Sequence, residues 1–347
     1  MLRQLAALTR GVPAAGPRAL AVAVYGGSGG EQFHARESGI EGVACVDDAA
    51  RAGVVLHRLW VATGNRAVRA WADGLLTFVA WMHAGDGLWN NFVLDWEGAK
   101  NVAGPTSAAG VNFWQARAML AFAETGFAAD QDGHRRMLTQ AFDAAARGTP
   151  PADVRSIHAL AALAMLRKDP DPRLAALLGV WCDELAASQH GGVLMNSPDE
   201  RGRPHLWSHV QEGVLAEASA VLGRPDLLEV ATISAEQVFA DVVDSGFDCP
   251  HVTSYDVQCV VFAMERLAAA TGRPRYAEMA RMARGWFDGR NRAGAAIYDR
   301  AAGRVADGLD DGRVSARSGA EANIEACDAL LSDPGVLSVA RGWTQAW

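Results

Sequence analysis

No run of about 18 uncharged apolar residues occurs in the sequence, so no segment is expected to cross a membrane. No block of basic residues occurs either. A formal net charge of -8 leaves nucleic acid or an anionic lipid surface without the positive footprint that binding them requires. Cysteine is sparse: Cys45, Cys182, Cys249, Cys259 and Cys327 are scattered, odd in number and never spaced CxxC, which argues against a disulfide framework and a zinc site. The His residues are dispersed without metal-ligand spacing, so neither metal nor cofactor is expected. Arg10, Pro13 and Arg18 interrupt the mildly apolar N-terminus before a signal-peptide core can form. A cytoplasmic protein is the expectation.

The glycine-rich stretch AVAVYGGSGGEQ (21–32) contains Gly26-x-Ser28-x-Gly30, the spacing of a nucleophile elbow. That motif needs alternating strands and helices around it, and it also lacks the Gly-Lys-Ser/Thr ending of a phosphate-binding loop. A plain glycine loop is the better reading.

What the sequence does have is repetition. Half of its residues are hydrophobic, and β-branched residues do not alternate in runs, which favours helices over strands. Five connectors look alike: ATGNR (62–66), TGFAAD (125–130), RKDPDP (167–172), LGRPD (222–226) and TGRPR (271–275). Each puts Gly or Pro where one helix should stop and the next begin. The segments that follow, 67–82, 131–146, 173–188, 227–242 and 275–287, have apolar residues at three- and four-residue steps and read as amphipathic outer helices. The segments that precede, 45–61, 106–124, 152–166, 205–222 and 251–270, are apolar or small around most of the circumference and need cover on most sides. A sixth pair, 313–331 and 336–347, completes the set. The fold class expected is all-α, an (α/α)6 toroid of six helical hairpins over 45–347, with residues 1–44 packing on it as an N-terminal segment. An open helical solenoid is the alternative, because repetition fixes the stacking of neighbours but not ring closure.

Inner-to-outer connectors are short, whereas the outer-to-inner links 83–105, 189–204 and 288–312 are long. Antiparallel helices put all long links on the face where inner helices begin, and long loops over a rigid scaffold are where chemistry usually sits. Asp47 and Asp48 lie in the first turn of the first inner helix. Asp153, His205, His209, Asp256, Arg317 and Glu321 begin the later ones. The first long link adds Trp89, Asn90, Asn91, Asp95, Trp96 and Glu97, and the last adds Asp307, Asp310 and Asp311.

Carboxylates, amides and tryptophans on one face suit a carbohydrate, whose rings offer C–H faces to Trp and hydroxyls to acids and amides. Eleven Trp against four Tyr lean the same way. Glycosidic cleavage needs one protonated and one ionised carboxyl group. Asp48, Asp95, Asp256 and Glu321 are the candidates, with Asp48 or Asp256 as base or nucleophile and Glu321 or Asp95 as acid. Asp47, Trp89, Asn91, Trp96, Glu97, Trp114, Trp207, His209, Asp310 and Arg317 are the candidate substrate contacts. Each has a plainer reading. Asp47 and Asp48 could cap a helix and complement its dipole, Asp95 and Glu97 could be ordinary loop charges, Ser254 competes with Asp256 as a cap, and the histidines could simply pack.

The hairpin pattern together with CVDDAARA (45–52) and SGAEANIEA (318–326) resembles the six-hairpin glycosidase-like superfamily. More narrowly, it is similar to a helical toroid found in some bacteria beside or fused to glycosyltransferases. The first inner helix of that group reads roughly His-Gly-Tyr-Cys-x-Asp-Asp-x-Ala-Arg-Ala. Cys45, Asp47, Asp48, Ala50, Arg51 and Ala52 match it, and Val43 and Ala44 stand in place of Gly-Tyr. Gly319, Ala320 and Glu321 match its late segment, roughly Asn-x-Gly-Ala-Glu-Ser, while Arg317 and Ala322 depart from it. The resemblance implies the toroid, a saccharide ligand and a glycosyltransferase as partner. Superfamily members include hydrolases, epimerases and lyases, and fold alone does not choose among them. Glycoside hydrolysis is the leading expectation. The alternatives are an epimerase or isomerase with His205 or His209 as base, and a saccharide-binding module without catalysis.

Overall fold

The computed structural model describes residues 1–27, 29–32, 42–126 and 131–347, and the side chains of residues 131 and 132 are not described. Ser28 of the glycine loop and residues 127–130 of the second connector lie outside the described residues. The described helices are, in chain order, α1 Leu2–Leu8, α2 Val46–Thr63, α3 Arg66–Trp81, α4 Phe113–Thr125, α5 Gln131–Arg147, α6 Ala152–Leu166, α7 Pro172–Ala187, α8 Gln211–Leu222, α9 Pro225–Val238, α10 Ala240–Asp244, α11 Ser254–Thr271, α12 Pro274–Arg284, α13 Ala320–Ala329 and α14 Pro334–Arg341. Helices stand in all six expected pairs, and in α2/α3, α4/α5, α6/α7, α8/α9 and α11/α12 the partners pack on each other, whereas α14, which follows α13, packs on α2.

The connectors work as their chemistry requires. α2, α4, α8 and α11 each end on a glycine in the left-handed region, Gly64, Gly126, Gly223 and Gly272. That conformation costs a Cβ-bearing residue energy and costs glycine none. Pro172, Pro225, Pro274 and Pro334 then open the next helices at the first turn, where a missing N–H loses no hydrogen bond.

Burial separates two kinds of helix. α7 buries Leu178, Trp181, Cys182 and Leu185, a single stripe at three- and four-residue steps. Its partner α6 is buried continuously from Asp153 to Ala159 and again from Ala161 to Ala164. The inner and outer roles assigned from composition therefore hold for this hairpin.

The chain forms two compact units. In the unit made of residues 1–149, 298–307 and 315–347, α2 packs against α3, α4, α13 and α14, and α1 lies on α13. Ala44–Cys45, just before α2, pairs antiparallel with Phe92–Val93 of the first long link. In the unit made of residues 150–297 and 308–314, α8 packs against α6, α7, α9 and α11, and α11 against α12. There Gly308–Asp310 pairs with both His251–Thr253 and Arg313–Val314 in a small antiparallel sheet ahead of α11.

Among the described residues, no helix is long and apolar enough to cross a membrane.

Candidate active site

The adjacent acids at the start of α2 are held by arginines. Cys45 caps the helix, its sulfur accepting the Asp48 N–H at 3.4 Å, and the Asp47 N–H is met by Asn91 Oδ1 at 3.1 Å. Arg51, four residues after Asp47 and three after Asp48, falls on the same helix face. Its Nε lies 3.0 Å from Asp47 and its Nη2 donates to Asp48 Oδ1 at 2.7 Å. The same Nη2 donates to Glu321 Oε2 at 3.1 Å, and Nη1 donates to Glu325 Oε1 at 2.5 Å, both on α13. Arg117 of α4 binds Asp47 from a third helix.

Four carboxyl groups thus share two guanidinium groups, and their environments separate them. Burial pushes the Asp47 carboxyl up, but Arg117 and Arg51 outweigh it and hold the group below the usual range. Asp48 is raised to about 6 by burial, which Arg51 opposes and the charges of Asp47 and Glu321 reinforce. Glu325 is raised to about 7 by burial, again against Arg51 and with Asp328 and Glu321 adding to the rise. The Glu321 side chain is 34% exposed, whereas those of Asp48 and Glu325 are each 4% exposed, so Glu321 is the member a ligand reaches first. Tyr25 lies beside them: burial raises its hydroxyl, and so do the charges of Asp48, Asp307 and Glu321. Asp307 accepts the Gly319 N–H at 2.5 Å, and burial still raises it. Exposed Arg317 lowers both Tyr25 and Asp307.

The remaining candidates of this unit have other surroundings. Asn91 also donates to Thr106 O at 3.0 Å and so ties the long link to α2. Trp89 is fully buried with its indole N–H on Val79 O at 2.9 Å, and the N–H of half-buried Trp114 donates to Trp89 O at 2.9 Å. Trp89 is therefore core, and Trp114 is only partly covered. Exposed Asp95 accepts the N–H groups of Gly98 and Ala99 at 3.0 and 3.1 Å, closing its own turn. Trp96 carries Arg10 over its ring at 5.4 Å, and Glu97 is exposed.

In the other unit, Asp256 forms a capping box with Thr253 at the start of α11, accepting its N–H at 2.7 Å and its hydroxyl at 2.8 Å. Asp256, Thr253, His205, Trp207, Phe247 and Val242 line part of a cavity of about 490 Å³. Trp207 packs edge-on against Tyr255. The His205 ring is exposed, with Nδ1 3.0 Å from Trp207 O. His209 differs: it is wholly buried, its ring nitrogens 2.6 Å from Asn196 Oδ1 and 3.0 Å from Glu212 Oε1, and Ser234 donates to the same Glu212 oxygen at 2.6 Å. This is a buried polar network joining α8 to α9 and the segment before it. Exposed Asp310 Oδ1 lies 2.6 Å from His251 Nδ1 at the surface.

Sequence reasoning brought Asp47, Asp48 and Glu321 to one place and overlooked Arg51, Arg117, Glu325 and Tyr25 as site residues. The signal for Arg51 was its three- and four-residue spacing from the two acids, and Glu325 stands four residues after Glu321. Arg117 and Tyr25 arrive by long-range packing and carry no such signal. Among the described residues, no group of three or more His, Cys, Asp or Glu side chains is placed to hold a metal ion.

Neither a protein-family model nor a curated protein sequence matches the chain. Solved structures do. A cellobiose 2-epimerase from Bacillus thermoamylovorans superposes with a TM-score of 0.70 at 9% identity over 96% of each chain. A D-mannose isomerase gives a TM-score of 0.66 at 10% identity, covering 97% of this chain and 96% of its own. An endoglucanase from the termite Nasutitermes takasagoensis gives 0.53 at 13% identity, covering 99% and 98%. At these identities the likeness concerns the fold alone, and the fold of this chain is the (α/α)6 toroid that these structures share.

Proposed function

We propose that the chain is a carbohydrate-active enzyme that cleaves a glycosidic bond, with Asp48 as proton donor and Glu321 as nucleophile or as base for water. The observation that carries this reading is that a buried carboxyl raised to about 6 and a partly exposed carboxylate share one nitrogen of Arg51. A general acid works best with a pKa near the operating pH, and burial supplies that here. When Asp48 gives its proton to the leaving oxygen, the new charge appears on a group already hydrogen-bonded to Arg51, so no reorganisation is needed to meet it.

The test is release of new reducing ends from a panel of glycosides. Asp48→Asn and Glu321→Gln should each lower the rate by about 10²- to 10⁴-fold while the circular dichroism spectrum is retained. Turnover that survives Asp48→Asn refutes the assignment.

A second reading, sugar epimerisation or isomerisation, is favoured by the exposed His205 ring on the Trp207-lined cavity. The likeness to an epimerase and an isomerase along nearly the whole chain points the same way. Its signature is solvent deuterium at a sugar carbon without a new reducing end, lost in His205→Gln. His209, enclosed on both ring nitrogens, is not placed to take a substrate proton.

A further inference from the structure

Glu325 is a buried acid that the proposed cleavage does not use, and its position is specific. It lies four residues after Glu321, one turn further along the same face of α13. Its carboxylate holds Arg51 Nη1 at 2.5 Å, while Nη2 of the same guanidinium holds Asp48 and Glu321. A guanidinium is a rigid plane, so fixing one nitrogen fixes the direction of the other. We infer that Glu325 is a positioning residue for the Asp48 and Glu321 pair and acts on both through Arg51. The inference rests on the reading that Asp48 is the proton donor, and it adds a control on when that donor is loaded.

Glu325 competes with Asp48 for one positive charge. The groups that act on it are Arg51 of α2, Arg117 of α4, and Glu321 and Asp328 of its own helix. From the other elements packed on α13, Arg58 of α2 binds Asp328, Arg3 of α1 binds Ala301 O, Arg304 pairs with Asp299, and the Met1 amine, lowered by burial to about 5, carries no charge above that pH. Ionised Glu325 takes a share of Arg51 and adds negative potential, and both effects favour the protonated form of Asp48. Neutralising Glu325 removes both. The two acids should therefore titrate as a coupled pair.

The experiment is a carboxyl ¹³C NMR titration of the full chain between pH 4 and 9, with no saccharide present. In Glu325→Gln the Asp48 midpoint should fall by about half a pH unit or more, whereas Asp328→Asn, which removes an equal charge from the same helix, should move it by less than about 0.2. A folded Glu325→Gln protein with an unmoved Asp48 midpoint overturns the inference. If that variant does not fold, the native protein still decides: the Asp48 and Glu325 signals should each show two inflections, and two independent single-step curves overturn the inference. Failure to find saccharide turnover would sink the proposed reaction and leave this result intact.

Discussion

At the residue scale, the doublet Asp47-Asp48 shows how neighbours of one charge acquire opposite characters. Asp47 faces two arginines and is held low, while Asp48 has a share of one and is raised. The doublet, the arginine that follows it and the acid pair Glu321 and Glu325 are legible in the sequence because helical spacing is local. Which of the four stays protonated is not legible, because that depends on burial by helices hundreds of residues away. The consequence for stability has a definite sign. Asp48 and Glu325 have folded values of about 6 and about 7, above the ordinary carboxylate range, so their contribution is complete below the unfolded values and is lost as pH rises through the folded ones. Asp47, lowered on folding, loses its contribution only at more acidic pH. Stability, followed as the thermal midpoint, should thus decline between about pH 4 and pH 7, with a free-energy slope of up to about 1.4 kcal/mol per pH unit for each group. The double variant Asp48→Asn/Glu325→Gln should flatten the decline. A series of melts across that range checks it, and an unchanged slope in the double variant would contradict the assignment.

At the scale of elements, the helical pairing was readable because the apolar period and the Gly and Pro stops are local. The starts of the inner helices were less so. Segment 205–222 reads as one helix, yet α8 begins at Gln211, after Ser208 adopts a φ of 60°, a conformation that interrupts a helix. Likewise 251–253 is a strand that precedes α11, and 106–112 precedes α4. His205 and Trp207 therefore stand on a loop at a cavity instead of on a helix. Close packing between inner helices makes a sharper prediction. At Gly213 of α8 a Cβ would stand 2.4 Å from Phe262 Cε1 and 3.2 Å from Ala263 Cα on α11, whereas at Gly179 of α7 it would meet nothing within 4 Å. Gly213→Ala should destabilise by about 1–3 kcal/mol, and Gly179→Ala should stabilise by about 0.5–1 kcal/mol through helix propensity. Urea denaturation of the two variants measures both. Equal effects would mean that the α8 and α11 backbones are not in close contact at Gly213.

At the scale of the whole molecule, the sequence pattern indicates six hairpins and the structural likeness supplies the toroid, but the residues that tie the first inner helix to the last emerge only from the coordinates. Arg51 does so at the site, and Arg58, seven residues on and on the same face of α2, does so again. It binds Glu124 of α4 through Nε and Nη2 at 2.5 and 2.8 Å, and Asp328 of α13 through Nη1 at 2.5 Å. Nothing local marks this triad, since Asp328 lies 270 residues from Arg58. Removing the arginine alone leaves two mostly buried carboxylates opposed across the seam. The loss for a wholly buried pair would be about 3–5 kcal/mol. Because the Arg58 side chain is 28% exposed, water screens part of that, and Arg58→Met should cost about 2–3 kcal/mol. Replacing all three members, as Arg58→Met/Glu124→Leu/Asp328→Leu, removes the stranded charges as well as the cation. The triple variant should recover to within about 1 kcal/mol of the native chain. Chemical denaturation of the single and triple variants distinguishes the cases: if Arg58→Met costs no more than the triple change, the ion pairs contribute little to holding α2, α4 and α13 together, and apolar packing alone closes that seam.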